Sequence, residues 1–264
     1  MLKFVIFMFN LAVKCGNDRL AERSASLTLR VLLAFFPFIV FLMSLMGFLE
    51  LDCAAIISGL YEVLPSDISE LVASFVRELS ETRSTGVLSA ALFFSVYNAT
   101  NGFRAIIRMT NAAYGVDEKR SLLWQIGLSF VLMILFSAAL IIMLALLVFR
   151  RQIWSIVFPD GSELLFALIS GVTALFSLFL FTAFIYKVAC AKPLPLKHIL
   201  PGAGFTVFAW VVTSAVFGFV TQNFTQFPAI YGSIAGVFLL ILWLNAVSAI
   251  LLAGNEINAL LREF

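Results

Sequence analysis

The sequence predicts an all-α protein, a polytopic membrane helix bundle with six transmembrane helices. Hydrophobic residues make up 62% of the 264 residues and charged residues only 12%, about half of the roughly 25% that is typical of soluble proteins. Long stretches also lack Asp, Glu, Lys and Arg. At about 1.5 Å per residue they can cross a hydrocarbon core of roughly 30 Å. Residues 1–264 are therefore predicted to form a single integral membrane domain.

The six predicted spans follow the uncharged stretches in order. They cover about residues 27–49, 85–103, 125–149, 165–186, 199–220 and 231–255. An amphipathic N-terminal helix is predicted over residues 1–26, where charged residues alternate with Phe and Leu as in helices that lie along a membrane surface. Periplasmic helices are predicted between spans 1 and 2, in residues 50–83, either as a cover for the bundle or as a substrate lid.

The Lys and Arg residues are distributed unequally between the two sides of this bundle. The N-terminal segment and the loops or tail after spans 2, 4 and 6 carry 13 of the 17, and the opposite side carries 4. Because positively charged loops favour the cytoplasm, both termini are predicted to be cytoplasmic.

Polar residues in and beside the predicted spans are the candidates for a polar core or a substrate path, because such groups are costly in lipid. They are Asn98, Asn101, Arg104, Arg108, Asn245 and Glu256. Asn98, Asn101 and Arg108 share one helical face, and Asn245 and Glu256 share another. Interhelical hydrogen bonding is the alternative role for these side chains.

Glu256 is expected to face the bundle and to meet a cationic or amide partner, because an unpaired carboxylate at the membrane edge either neutralises or seeks a positive group. Arg30, Arg104 and Arg108 are the expected partners, since all three fall on the same predicted side of the membrane.

Three further residues are predicted to shape helix packing. Pro37 falls inside span 1 and should kink it, which membrane bundles tolerate. Gly232 and Gly236 are four residues apart in the last span, a spacing that lets helix backbones approach closely in lipid.

The chain carries few residues suited to metal or catalytic chemistry. Its one histidine, His198, lies beside Lys197 in a proline-rich loop, and its three cysteines are scattered. Metal sites and catalytic triads need several convergent side chains, and nucleic-acid binding needs a basic surface. We therefore expect no metal, no cofactor, no enzymatic activity and no nucleic-acid partner; the bilayer is the expected partner.

Four separated patches resemble the BrkB/YihY family of bacterial inner-membrane proteins, in the same order along the chain. The last helix carries the resemblance through Tyr231-Gly232-Ser233, Leu242-Trp243-Leu244 and Gly254-Asn255-Glu256-Ile257-Asn258. The other patches are Leu33-Ala34-Phe35-Phe36-Pro37, the loop with Asn111, Tyr114, Glu118 and Arg120, and Leu200-Pro201-Gly202-Ala203-Gly204. Leu29-Arg30 and Ala34 depart from the family pattern, which has a Tyr pair and a Ser there.

This resemblance implies a multi-pass protein of the bacterial inner membrane and a transporter or permease-like role for an unknown small solute, ion or lipid. The family has been tied to serum resistance in a pathogen, which would make the chain similar to a virulence factor. It has also carried a ribonuclease label, for which this sequence offers no chemistry. The alternative function is a non-transporting membrane scaffold for envelope or lipid organisation. Association into a homo-oligomer is left open.

Overall fold

The computed structural model describes residues 2–49, 69–70, 73–74, 85–136, 138, 163–223 and 233–263. Over these residues the regular structure is helical and includes no β-strand, which confirms the all-α class. The predicted periplasmic region is described only at residues 69–70 and 73–74, which are helical. Gly232 and the second half of the predicted third span lie outside the described residues.

Seven helices and one 3₁₀ turn are described. The helices are α1 (Leu2–Asn17), α2 (Leu20–Leu49), α3 (Thr85–Ala113), α4 (Leu122–Phe136), α5 (Glu163–Ala189), α6 (Leu200–Asn223) and α7 (Ser233–Glu263), and the 3₁₀ turn Leu196–His198 precedes α6.

Three segments are long and apolar enough to cross a membrane among the described residues. They are Leu168–Ala189, Leu196–Val220 and Gly236–Arg262, which match the predicted spans 4, 5 and 6. Large apolar side chains cover their outer surfaces, and Phe208 and Phe219 are 70% and 67% exposed, as expected for helices that contact lipid. The membrane character of the chain is thus confirmed, and the count of six spans stays a prediction.

The predicted N-terminal helix is divided, and this corrects its expected extent of residues 1–26. α1 ends at Asn17, and α2 begins at Leu20 after a two-residue turn. Arg19 adopts a left-handed backbone with φ of 49°, and its N–H donates to the carbonyl oxygen of Gly16 over 3.0 Å. A left-handed residue after a helix end is a common terminator, and Gly and Asn just before it favour helix poorly.

Local sequence signals also account for the end of α3 and the start of α6. Gly115 has φ of 57° and donates its N–H to the carbonyl oxygen of Ala112 over 3.0 Å. Glycine takes this left-handed conformation without steric cost, so it ends α3 after Ala113. Pro201 occupies the first turn of α6, where its missing N–H leaves no helical hydrogen bond unmade.

The buried core lies at one end of the bundle, which we call the basal end. It is the end where α2 and α6 begin and where α3, α5 and α7 finish. Leu27, Ile107, Tyr186, Ile199 and Ala203 are at most 1% exposed and pack together there. α2 packs along α3, and α7 packs against α6 and α2. In the predicted topology the basal end is the cytoplasmic end.

Candidate functional site

Six buried polar side chains from four helices lie at the basal end, and we call them the basal polar layer. They are Thr110, Tyr186, Thr206, Asn255, Glu256 and Asn258. The Tyr186 hydroxyl donates to the carbonyl oxygen of Leu251 over 2.6 Å and shares a 2.7 Å hydrogen bond with the Thr206 hydroxyl. This tyrosine therefore ties α5 to both α6 and α7.

Two asparagines of α7 extend the same layer. The side-chain amide of Asn255 donates to the Thr110 hydroxyl of α3 over 2.7 Å. The side-chain oxygen of Asn258 accepts from the backbone N–H of Gly202 over 2.7 Å, which satisfies a donor in the first turn of α6 that has no partner within its own helix. Hydrogen bonds of the basal polar layer therefore link α7 to α3, α5 and α6.

The backbones of α6 and α7 approach most closely where Gly202 faces Gly254. A Cβ atom at Gly254 would lie 2.8 Å from the carbonyl oxygen of Gly202 and would collide with the side-chain oxygens of Tyr186 and Thr206. A Cβ atom at Gly202 would lie 2.5 Å from the side chain of Asn258 and would collide with the carbonyl oxygen of Gly254. Only glycine fits at both positions, so the tyrosine hydrogen bonds depend on this contact.

Glu256 is 3% exposed and lies next to a cation from the N-terminal helix. Lys14 Nζ is 3.7 Å from Glu256 Oε2 and 3.8 Å from Asp18 Oδ2. Arg23 contacts the other oxygen of Asp18 at 3.5 Å. Lys14 therefore lies between two carboxylates and brings α1 against the end of α7.

The expectation that Glu256 faces the bundle and meets a cation is confirmed, but the expected partners are wrong. The ion pair forms with Lys14, and none of Arg30, Arg104 and Arg108 forms an ion pair with any described residue. The turn after α1 allows that helix to pack against α7, so its lysine reaches the buried carboxylate.

An open cleft of about 620 Å³ adjoins this ion pair. Asn10, Lys14 and Asp18 line one side, and Tyr114 and Leu260 line the other. The Tyr114 hydroxyl is buried and has no hydrogen-bond partner among the described residues. Burial raises the pKa of Tyr114 above its ordinary value, so the hydroxyl is a buried donor at neutral pH.

A second polar cluster holds the loop after α3 against the end of α5. Glu118 accepts two side-chain hydrogen bonds from Arg120, at 2.7 and 2.6 Å, and one from Asn111 at 2.6 Å. Arg120 also donates to the carbonyl oxygen of Ala189 over 3.1 Å, and Asn111 accepts from the N–H of Ala191 over 2.7 Å. Residues matched to the family loop pattern thus form a clamp between two helix ends.

Glu118 should make this clamp sensitive to acid. The Arg120 side chain, chiefly through its hydrogen bond, lowers the pKa of Glu118 below its ordinary value of 4.5. The clamp stabilises the fold fully above that ordinary value and loses its contribution as the pH falls through the lower folded pKa. We expect Glu118→Gln to lower the free energy of unfolding by about 2 kcal/mol at pH 7, with a difference from wild type that shrinks toward pH 3.

Thermal unfolding of the purified protein in detergent at several pH values measures this difference. Asp117→Asn is the matched control, because it removes a neighbouring carboxylate that is exposed. Equal effects of the two substitutions at pH 7 would contradict the clamp.

The residues proposed for a substrate path make different kinds of contact. Asn98 donates to the carbonyl oxygen of Phe94 in its own helix over 2.9 Å, and Asn101 is half-buried. Asn245 donates to the Thr28 hydroxyl of α2 over 3.4 Å. Of these, only Asn245 makes a hydrogen bond to another described helix. Their part in a substrate path stays a prediction.

The proposed arginines lie on α3, and the described packing residues lie on α2 and α7. Arg104 is half-buried and Arg108 exposed on α3. Pro37 lies inside α2 as expected, and Gly236 is half-buried near the start of α7. The packing role of Gly232 and Gly236 stays a prediction.

Sequence reasoning missed several residues that build the site. Lys14 was assigned to a surface helix, and Thr110, Tyr186 and Thr206 were not singled out. Asn255 and Asn258 lay inside a motif that was noticed as a resemblance only, although their spacing places both on one face of a helix. Among the residues that the structure describes, no three His, Cys, Asp or Glu side chains come together as a metal site would require.

Comparisons with known proteins extend over nearly the whole chain. A family model described as virulence factor BrkB matches residues 11–263. A ribonuclease-like protein of Bacillus subtilis (strain 168), YfkH, is 32% identical over 248 residues, which are 92% of this chain and 90% of that protein. A UPF0761 membrane protein of Azoarcus sp. (strain BH72) is 24% identical over 98% of this chain, which spans 64% of that protein's length. No solved structure matches.

Proposed function

Because the chain belongs to the virulence factor BrkB family, we propose that it is a transporter or permease-like protein for a small solute, an ion or a lipid. The observation that carries this proposal is the position of Glu256. Its carboxylate is buried in a membrane helix, and its ion-pair partner Lys14 lines an open cleft. A buried carboxylate in a membrane helix whose ion-pair partner lines a cleft is a candidate for a solute path.

The basal polar layer supports the same proposal because its hydrogen bonding is incomplete. Asn255 Oδ1, Asn258 Nδ2 and Glu256 Oε2 are buried and have no hydrogen-bond partner among the described residues. Buried polar atoms without partners are costly. Water or a solute that entered from the cleft would supply the missing hydrogen bonds.

The orientation is part of the proposal. Six spans with both termini cytoplasmic in a bacterial inner membrane would place the cleft on the cytoplasmic side, because the positive charge of the chain concentrates at the ends and loops on that side. Such a cleft would take up or release the solute there.

We propose further that the protein is not an enzyme. The name of the Bacillus relative contains the words ribonuclease-like, and RNA hydrolysis needs a metal site or a paired general acid and base. A sequence with one histidine and scattered carboxylates offers no evident set of this kind.

A membrane scaffold is the second candidate, and the contact between Gly202 and Gly254 favours it. Two helix backbones in such close approach are typical of permanent helix association in lipid. A scaffold would hold the basal end closed, whereas a transporter would open it to pass a solute.

Flux in proteoliposomes separates these functions. The wild-type protein is screened against panels of small solutes, ions and labelled lipids, beside Glu256→Gln and the control Glu22→Gln, whose carboxylate is 72% exposed. We expect flux of at least one solute in wild type and Glu22→Gln. We expect Glu256→Gln to reduce it at least tenfold while the protein still folds.

Other outcomes favour the scaffold. Absence of flux across all panels by folded wild-type protein would count against transport. Lower stability of Glu256→Gln with unchanged flux would assign the carboxylate a structural role.

A further inference from the structure

Three arginines cluster where α2 packs against α3, and neither the ion pairs nor the basal polar layer uses them. Arg30 comes from α2, and Arg104 and Arg108 come from one face of α3. Arg104 and Arg108 are one helical turn apart, α2 packs along α3, and the charges of Arg30 and Arg104 both act on Arg108. We call them the arginine cluster.

The arginine cluster has donors without acceptors. The Nε atoms of Arg30 and Arg104 are buried and make no hydrogen bond to any described residue, and the same holds for the Thr100 hydroxyl one turn from Arg104. In the described part of the chain, no carboxylate forms an ion pair with any member of the cluster. Three positive charges are therefore grouped without a carboxylate ion-pair partner among the described residues.

This arrangement is unfavourable for an empty site. Like charges repel more strongly where water is partly excluded, and a buried donor without an acceptor pays its full desolvation cost. An anion would relieve both effects. Guanidinium groups match phosphate in particular, because their planar N–H donors bind two oxygens of one group in parallel.

The depth of the cluster fits an anion that enters from the basal end. At 1.5 Å per residue, Arg30 lies about 15 Å along α2 from Leu20, and Arg104 and Arg108 lie about 14 and 8 Å from the end of α3 at Ala113. Basic pockets between membrane helices on the cytoplasmic side are typical sites for lipid phosphate groups. Arg108 is exposed and can receive the anion first.

We propose that Arg30, Arg104 and Arg108 form a binding site for a phosphate oxyanion between α2 and α3. Arg30 and Arg104 hold the phosphate through their buried donors, and Arg108 draws it in from the surface. The phosphate belongs either to the headgroup of an anionic lipid or to a small soluble phosphate. This site does not depend on the proposed transport activity, since it can hold an anion in a scaffold equally well.

Thermal unfolding in nanodiscs tests the site with two probes. The full-length protein is placed in phosphatidylcholine discs and titrated with inorganic phosphate, with sodium chloride at equal ionic strength as the salt control. In a second arm, phosphatidylglycerol replaces a stepwise fraction of the phosphatidylcholine. We expect at least one probe to raise the unfolding midpoint of the wild-type protein.

Substitutions connect that response to the arginine cluster. Arg104→Gln should weaken binding of the effective probe about tenfold, the loss of one charge-assisted contact. Arg19→Gln is the matched control, because it removes the same charge from a side chain that is 74% exposed. If Arg104→Gln does not fold, Arg108→Gln at its exposed position makes the same comparison.

Each outcome decides the proposal. A response to inorganic phosphate identifies a soluble phosphate as a sufficient ligand, and a response to phosphatidylglycerol alone identifies a lipid headgroup. No response to either probe in the wild type would overturn the site. Equal responses of Arg19→Gln and Arg104→Gln would overturn it as well.

Discussion

Gly254→Ala is expected to destabilise the protein by about 3 kcal/mol or more, the upper range for overpacking a core. The added methyl group would collide with the hydroxyl groups of Tyr186 and Thr206 and crowd the carbonyl oxygen of Gly202. Tyr186 cannot move away without losing hydrogen bonds, because its hydroxyl is hydrogen-bonded to both Thr206 and Leu251. Alanine favours a helix over glycine by only about 1 kcal/mol, so steric crowding dominates.

The measurement is the unfolding midpoint in detergent, together with the amount of folded protein recovered from membranes. Gly218→Ala is the control, because Gly218 lies within α6 and a Cβ there meets no atom within 4 Å. That substitution should be neutral or slightly stabilising. Equal unfolding midpoints of Gly254→Ala and Gly218→Ala would contradict the close contact between α6 and α7.

Lys14→Met is expected to cost about 3 kcal/mol, because it leaves a buried carboxylate without its cation. Lys14 lies between Glu256 and Asp18, so its removal also leaves two negative charges near each other. Methionine keeps most of the length and apolar stem of lysine, which separates the loss of charge from the loss of packing. Thermal unfolding at pH 7 measures the effect.

A second substitution checks the cause. Glu256→Gln in the Lys14→Met background should restore much of the lost stability, since a neutral amide tolerates burial better than an unpaired charge. Lys187→Met removes an exposed lysine of α5 and should change little. Additive effects of Lys14→Met and Glu256→Gln would show that the two side chains do not interact.

Hydropathy located helices well and helix ends poorly. The predicted second span ended at residue 103, yet α3 continues to Ala113. Arg104 and Arg108 end an apolar stretch but not a helix, because arginine is a good helix former. The last span was likewise ended at residue 255, although α7 continues to Glu263. The length of an apolar stretch indicates the lipid-facing part of a helix, and the helix can continue beyond it, as α3 does until the turn at Gly115.

The partner of Glu256 could not be predicted from the sequence for a different reason. The distribution of Lys and Arg predicted the side of the membrane on which Glu256 lies, and its negative charge predicted a cationic partner. Every lysine and arginine on that side therefore remained a candidate partner. Lys14 reaches Glu256 because of the turn at Arg19, which has a left-handed backbone. Non-glycine residues rarely adopt this conformation, so the sequence does not reveal that a turn occurs there.

Glycine spacing gave a similar ambiguity. Gly232 and Gly236 have the spacing of a helix-contact motif, whereas Gly202 and Gly254 stand on different helices and share no pattern along the chain. Their proximity arises only after α6 and α7 pack together, so it is a property of the fold and not of a local motif.

The concentration of the core at the basal end has a consequence for biosynthesis. The helix α7 supplies Asn255, Glu256 and Asn258, so the basal polar layer is incomplete until α7 has been synthesised and has packed. Before α7 is in place, Tyr186 lacks its hydrogen-bond acceptor at Leu251. The helices inserted earlier then hold polar groups in the bilayer that have no hydrogen-bond partner from α7. A chain truncated before α7 would therefore leave Thr110 and Tyr186 without the partners that α7 supplies.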